Sequence, residues 1–240
     1  MSELTTYDRL FGAGCHELIF DGSFLHGSAK IGNQILAVIG TRDHAAIDGA
    51  IALKVAGAIL QVVGDDLASG NPTRPIVFIA DTQGQVLSRH EELLGLNGYF
   101  AHVVRCVDLA RRQGHSLLTV INGEAVSGGF LSFGMMADCI CALPDAQVRV
   151  MDLRAMSRVT KISVERLEEL AQDSPVFAPG AGNFWRMGGI HEIWQEQDNW
   201  PERLLAALGP AKTSDQRAAI GLERGGRQLA APTAQLVENS

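Results

Sequence analysis

The hydrophobic positions in the N-terminal part of the chain occur at two different spacings. Extended runs at residues 23–30 and 34–41 flank a turn at residues 31–33 and predict a β-hairpin. Apolar residues then recur every three or four positions over residues 47–63, which predicts an amphipathic helix. Residues 1–17 predict a lead-in segment with a short helix. The pattern therefore indicates a mixed α/β fold.

Two short apolar runs, at residues 76–80 and 117–121, contain almost no polar side chains. Such runs are typical of strands that are buried on both faces of a sheet. A glycine-containing turn follows each run, at residues 81–84 and 122–129, and a helical pattern over residues 93–110 separates the two units. The chain thus repeats the order strand, turn, helix.

After the second turn, residues 130–137 predict a helix and residues 139–143 predict a strand. Helical patterns follow at residues 163–172 and 201–208. The order of these elements predicts an α/β fold, a right-handed ββα superhelix with a helical C-terminal extension. We predict a single domain, 1–240, with a core at about 15–150, a helical part at about 151–228 and a tail at 229–240.

Charge and hydropathy limit the possible partners. The net charge of the 240-residue chain is −7, and its Lys and Arg residues form no basic run. This distribution argues against binding to nucleic acid or to an anionic membrane surface. No stretch reaches about 18 consecutive apolar residues, and the N-terminus lacks the pattern of a signal peptide. We expect a cytoplasmic protein without a membrane partner.

The spacing of cysteine and histidine argues against disulfides and against a metal site. Cys139 and Cys141 are two residues apart, whereas Cys15 and Cys106 are isolated, which matches neither a disulfide framework nor a zinc motif. We expect all four to be small core residues. Two ligands on one helical turn would be three or four residues apart, and no two histidines have that spacing. No bound metal is expected.

The candidate chemistry lies where the two buried strands lead into helices. A helix that begins near residue 127 leaves its first backbone N–H groups without partners inside the helix. Gly128 and Gly129 lack the Cβ atoms that would keep a substrate away from those groups, and Gly84 allows a second close approach. The two turns together predict an oxyanion hole suited to a thioester enolate. Tight packing of helix against strand is the alternative explanation of the same glycines.

Three segments carry a family resemblance. The sequence VINGEAVSGGFLSFGMMADCICALPDAQV at residues 120–148 resembles the central motif of the crotonase superfamily, V-x-G-x-x-x-G-G followed by Ala-Asp. It is closer still to the G-E-G-x-S-G-G-A form of the alpha-type carboxyltransferase subunit of acetyl-CoA carboxylase. The sequence IVFIADTQG at residues 76–84 resembles the D-T-P-G turn of those carboxyltransferases, and residues 27–40 resemble their N-terminal strands.

The order and spacing of the three segments, from about residue 15 to about residue 220, resemble the gamma-subunit family of biotin-independent malonate decarboxylases. The resemblance implies a ClpP/crotonase-type fold and a carboxy-lyase reaction, in which a malonyl thioester loses CO2 to give an acetyl thioester. It implies a beta subunit and an acyl carrier protein as partners. The substrate would be carried on the phosphopantetheine-type arm of that carrier protein, with no cofactor bound to this chain directly.

The same resemblance implies roles for residues of both turns. The N–H groups of Gly128 and Gly129 would form one oxyanion hole, and those near Gly84 and Gln85 would form the other. Ser127 would cap the helix and shape the turn. The further positions expected to bind substrate are Gly123, Asp81 and Thr82.

One residue of the first turn departs from the family pattern. Gln83 stands where the carboxyltransferases have proline, which leaves the path of this turn open. Two alternatives therefore remain beside the decarboxylase: a biotin-dependent carboxyltransferase subunit, and a non-catalytic partner that shapes the active site of the beta subunit.

Two other enzyme classes fit the sequence less well. Superfamily hydratases use two glutamates, and this chain has Leu131 and Asp152 at those positions. A serine hydrolase would use Ser127 with His191 and with Asp152 or Asp173, but the first glycine of its nucleophile motif is missing.

Overall fold

The computed structural model describes residues 5–151, 153–173, 178–209 and 214–239. Within these ranges nine strands form one mixed sheet. They are β1 (His16–Asp21), β2 (Phe24–Ile31), β3 (Gln34–Thr41), β4 (Ala45–Ile47), β5 (Ile76–Gln85), β6 (Leu117–Val126), β7 (Cys139–Ala142), β8 (Gln147–Arg149) and β9 (Glu192–Ile193). The order is β1-β2-β3-β5-β6-β7-β9, while β4 pairs with β5 and β8 pairs with β6. The pairs β1–β2 and β2–β3 are antiparallel, and the others are parallel.

Helices lie between and after the strands. They are α1 (Thr6–Phe11), α2 (Gly49–Ser69), α3 (Arg89–Leu93), α4 (Leu96–Arg112), α5 (Ser127–Leu131), α6 (Leu153–Thr160), α7 (Val164–Asp173), α8 (Ala181–Arg186), α9 (Trp200–Ala207), α10 (Arg217–Glu223) and α11 (Ala230–Glu238). A 3-10 turn, Gly134–Met136, follows α5. None of the helices in the described ranges has both the length and the apolar character needed to cross a membrane.

The central strands of the sheet are buried on both faces, which explains the uninterrupted apolar runs. In β5, Ile76 and Phe78 face the hydrophobic cluster that α2 and α4 cover. Val77 and Ile79 face a second cluster, which includes residues of α1 and α9. Because successive side chains of a strand point to opposite faces, only an apolar residue at every position fills both clusters.

Strands β5 and β6 are longer than predicted because both change partner along their length. Residues 76–79 of β5 pair with β3, and β5 then pairs with β4 from Thr82 to Gln85 after an irregularity that begins at Ala80. β6 likewise pairs first with β7 and then with β8. The prediction of a turn at residues 81–84 is therefore wrong, and so is the first part of the turn predicted at residues 122–129, since residues 81–84 and 122–126 are strand.

Other predicted elements are confirmed or corrected individually. The hairpin of β2 and β3 is confirmed. The helix predicted at residues 130–137 is wrong, because α5 ends at Leu131 and only a 3-10 turn follows. Cys15 is exposed, so its prediction as a core residue is wrong, whereas the other three cysteines are buried. The predicted tail at residues 229–240 contains α11, none of whose residues is buried.

Candidate active site

The two glycine-containing segments meet at the ends of β5 and β6. Thr82 of β5 is paired with Ala125 of β6, and the two strands run parallel. A Cβ atom on Gly129 would lie 2.9 Å from the carbonyl carbon of Gly84 and 3.0 Å from its Cα. A Cβ on Gly84, where φ is +103°, would lie 3.2 Å from the carbonyl oxygen of Val126. Gly84 and Gly129 are therefore required by the close packing of one backbone against the other.

Gly128 differs from Gly129 because side chains, not backbone, cover its free face. A Cβ on Gly128 would lie 3.2 Å from Oε1 of Gln85 and 3.6 Å from a ring carbon of Phe100. The Gly128 N–H donates a hydrogen bond to this Oε1, with N···O 3.1 Å. An amide oxygen is an sp2 acceptor, like the carbonyl oxygen of a thioester. The N–H group is thus directed at an oxygen of the kind that an oxyanion hole binds.

The predicted capping role of Ser127 is wrong. α5 begins at Ser127, and its N-cap is Val126, whose side chain makes no capping hydrogen bond. The Gly128 N–H of the first turn is instead bonded to the side chain of Gln85. Ser127 has φ +52°, in the left-handed region that is costly for a residue with a Cβ atom. Strain of this kind persists only where the surrounding structure enforces it. The left-handed conformation of Ser127 therefore helps to define the path of the backbone between β6 and α5.

Replacing Ser127 by glycine is expected to leave both folding and turnover intact. Removing Cβ relieves a left-handed penalty of about 1 kcal/mol, and the greater flexibility of glycine in the unfolded chain offsets this by roughly 0.5–1 kcal/mol. The free energy of unfolding, measured by urea denaturation, should change by less than about 1 kcal/mol. Complete loss of activity in a folded Ser127→Gly variant would instead identify Ser127 as a nucleophile.

Thr82 fixes the segment that contains Gln83, the residue at the position of the proline in the D-T-P-G motif. The buried Oγ1 of Thr82 donates to the carbonyl oxygen of Ala45 at 2.6 Å and accepts the Gly84 N–H at 2.9 Å. Gln83 is exposed. The threonine hydroxyl therefore holds the chain path without the conformational restriction of proline. The N–H group of Gly84, predicted as an oxyanion donor, is engaged by this hydroxyl.

Asp81 binds polar groups of two neighbouring segments. Asp81 is 7% exposed, and its carboxylate accepts the backbone N–H groups of His44 (3.1 Å) and Glu124 (3.0 Å). Its Oδ1 also lies 3.0 Å from Nδ1 of His44. A Cβ on Gly123 would lie 2.4 Å from that oxygen, so glycine leaves the space that the carboxylate occupies. Asp81 and Gly123 thus position the ends of β5 and β6.

A row of charged side chains continues outward from Asp81. Glu124 forms an ion pair with Arg149 of β8, with Oε1···Nη2 2.7 Å. His44 and its neighbour Asp43 both have positive φ values, 49° and 57°. Two consecutive left-handed residues need strong local contacts to persist, and the bonds between His44 and Asp81 supply them. The row therefore links the loop before β4 to β5, β6 and β8.

Tyr7 lies close enough to this row for its ionisation to be affected. Burial raises the pKa of Tyr7 to about 12, with Arg42 acting in the opposite direction and the carboxylates of Asp43 and Asp81 adding to the rise. Tyr7 is therefore a neutral phenol at physiological pH.

The geometry gives the hydratase and hydrolase alternatives no support. Leu131, at one hydratase position, is an apolar side chain that is 40% exposed. His191 accepts a hydrogen bond from the Ile140 N–H of β7 through Nδ1 (3.1 Å), whereas Ser127 follows β6. Asp152 and the side chain of Asp173 lie outside the described residues.

Four contributors to this region are absent from the sequence prediction: Phe100, His44, Arg149 and the side chain of Gln85. Each reaches the site through a contact between distant parts of the chain, such as the 43 positions between Gln85 and Gly128. No local motif signals such contacts. In the part of the chain that the structure describes, no cluster of three or more His, Cys, Asp or Glu side chains could hold a metal ion.

Comparison with solved structures identifies the fold. A Pseudomonas malonate decarboxylase hetero-tetramer in complex with coenzyme A matches with TM-score 0.81 and 22% identity over 97% of both chains. A Pseudomonas MdcD-MdcE hetero-dimer gives 0.74 and 22% over 98% of both chains. Transcarboxylase 12S gives 0.68 and 16% over 86% of this chain and 43% of that one. The fold is that of the crotonase-type carboxyltransferases, which confirms the predicted fold class.

Two sequence comparisons identify the family within this class. A family model described as malonate decarboxylase gamma subunit matches residues 42–240. The malonyl-S-ACP:biotin-protein carboxyltransferase MADD of Malonomonas rubra is 32% identical, and the match covers 85% of this chain and 78% of MADD. The chain belongs to the malonate decarboxylase gamma-subunit family. The predicted resemblance to this family is thereby confirmed.

Proposed function

We propose that this chain acts with a beta subunit to remove CO2 from a malonyl thioester, leaving an acetyl thioester. The complex would then be a carboxy-lyase. The observation that carries the proposal is the backbone N–H group of Gly128, which is directed at an sp2 oxygen where β6 leads into α5. Membership of the gamma-subunit family supports the same reaction.

The reaction develops negative charge on an oxygen atom. When the bond between the α-carbon and the carboxylate breaks, its electron pair passes to the thioester oxygen as an enolate, and CO2 leaves. The α-carbon then takes a proton. Fixed N–H groups stabilise this charge without reorganising. We assign this role to the N–H groups of Gly128 and Gly129, with that of Gln85 on the adjacent segment. Gly84, whose own N–H is bonded to Thr82, contributes the close approach of the two segments, and Ser127 shapes the turn.

In the proposed reaction, the three residues predicted to bind substrate hold the backbone of the site in position. Asp81 and Thr82 are buried, and their oxygens accept N–H groups of this chain. Gly123 provides the space for the Asp81 carboxylate. Direct contact of these residues with substrate stays a prediction, and their internal bonds favour positioning of β5 and β6.

The partners follow from the family and its relatives. Matching structures are a hetero-tetramer and an MdcD-MdcE hetero-dimer, and the name of MADD includes malonyl-S-ACP. We propose a beta subunit and an acyl carrier protein as partners, with the thioester on the phosphopantetheine-type arm and no cofactor bound by this chain. Four free cysteines fit the reducing cytoplasm, which we propose as the location.

One observation favours a second function. MADD is named as a carboxyltransferase to a biotin protein, and it is 32% identical to this chain. In that reaction the carboxyl group passes to biotin instead of leaving as CO2. The same oxyanion geometry would serve both reactions, because each forms an enolate of the acetyl thioester.

The test is CO2 release from malonyl carrier protein by the purified beta–gamma complex, with and without avidin. We expect full activity in avidin and none from either subunit alone. Activity that avidin removes, or that requires a biotin protein, would establish the carboxyltransferase instead. Gly128→Val should abolish CO2 release while the two subunits still co-purify. Normal turnover in that variant would show that this chain is a non-catalytic partner.

A further inference from the structure

The hydrogen bond to Gly128 places a side chain where a substrate oxygen should bind. We propose that the Gln85 amide is an internal ligand of the oxyanion hole, which the substrate must displace and which competes with the neutral product. This inference rests on the proposed function, since it concerns the same N–H group. Its basis is the 3.1 Å contact between Oε1 of Gln85 and the nitrogen of Gly128.

The Gln85 side chain, which covers the Gly128 N–H group, can move away from it. Its backbone is fixed by the pairing of Gln85 with Ile47 in β4, but its side chain is long, flexible and only half-buried. Rotation about the side-chain bonds would move Oε1 away from Gly128 without disturbing the strand. The opposite holds for Gly129, whose free face is blocked by the backbone of Gly84. Opening at Gly128 therefore costs much less than opening at Gly129.

The chemistry of the competing ligands sets the selectivity. Hydrogen bonds to an ionised acceptor are roughly twice as strong as those between neutral groups. An enolate or a carboxylate therefore displaces the neutral Gln85 amide. The acetyl thioester is neutral, so after protonation it competes with an amide of similar strength. The Gln85 side chain would thus favour the anionic states of the reaction and promote product release.

The first experiment measures binding of acetyl carrier protein to the beta–gamma complex by calorimetry, which does not depend on turnover. Gln85→Ala and Gln85→Met both remove the amide acceptor, and methionine retains the length of the side chain. We expect each variant to bind this product about five-fold more tightly, because one competing neutral hydrogen bond is lost. Gln61→Ala, an exposed glutamine of α2, is the matched control and should bind like the unsubstituted complex.

The second experiment replaces Gln85 with glutamate, whose carboxylate has the same reach and a negative charge. A charge-assisted bond to Gly128 and repulsion of the malonyl carboxylate should raise KM for malonyl carrier protein at least about ten-fold. Unchanged or weaker product binding in both Gln85→Ala and Gln85→Met would overturn the proposal. A complex that binds product as expected but releases no CO2 would instead contradict the proposed function alone.

Discussion

Gly129→Ala is expected to lower the free energy of unfolding by about 3 kcal/mol and to abolish turnover. A Cβ at this position meets the carbonyl carbon, the Cα and the carbonyl oxygen of Gly84 at 2.9–3.1 Å. Backbone atoms cannot rotate away, so β5 and α5 must separate. Alanine is favoured over glycine inside a helix by only about 1 kcal/mol, which is less than the cost of the clash. Urea denaturation and CO2 release measure the two effects.

Gly128→Ala is the matched control, because it makes the same change one residue earlier in the same helix. Its Cβ meets the end of the flexible Gln85 side chain at 3.2 Å, which can move aside. This variant should keep the free energy of unfolding within about 1 kcal/mol of the unsubstituted chain. Its activity should nevertheless fall, because the new methyl group narrows the proposed oxyanion hole at the Gly128 N–H group. Equal stability of the two variants would show that Gly129 is not needed for packing.

The contrast between Gly128 and Gly129 shows how much of the site a sequence motif can predict. The motif predicts that Gly84, Gly128 and Gly129 lie together, and the structure confirms their proximity. It does not reveal that Gly129 packs against backbone while Gly128 faces the side chain of Gln85. That distinction depends on the register irregularity after Ala80 of β5 and on the change of partner strand that follows it. This pairing joins distant parts of the chain, and no local pattern encodes it.

The main elements of the fold could be predicted because their signals are local and strong. The apolar runs of β5 and β6 identify buried strands, and the helical spacing of α2 and α4 identifies the helices that cover them. The short strands β4 and β8 have three residues each and carry no pattern of their own. They exist because the extended ends of β5 and β6 offer unpaired backbone groups, which must find partners when buried. Their prediction would require the change of partner strand along β5 and β6 to be known first.

The second large effect is expected from removal of the Asp81 carboxylate, which accepts hydrogen bonds from two neighbouring segments. Asp81→Ala should lower the free energy of unfolding by about 3 kcal/mol, because it leaves the partly buried N–H groups of His44 and Glu124 without their acceptor. Asp81→Asn should cost about half as much, since one amide oxygen can still accept one of the two. Asp43→Asn is the control: Asp43 is 67% exposed and pairs with Arg42 at the surface, so its loss should cost under about 1 kcal/mol.

A double-mutant cycle distinguishes this explanation from general damage to the sheet. Gly123→Ala alone is expected to be strongly destabilising, because its Cβ would lie 2.4 Å from Oδ1 of Asp81. In Asp81→Ala that oxygen is gone, so the added methyl group at Gly123 should cost much less there. The two changes should therefore be less than additive by at least about 1 kcal/mol in urea denaturation. Strict additivity would mean that Gly123 is required for a reason other than space for the carboxylate. Asp81 would then stabilise β5 and β6 independently of the glycine.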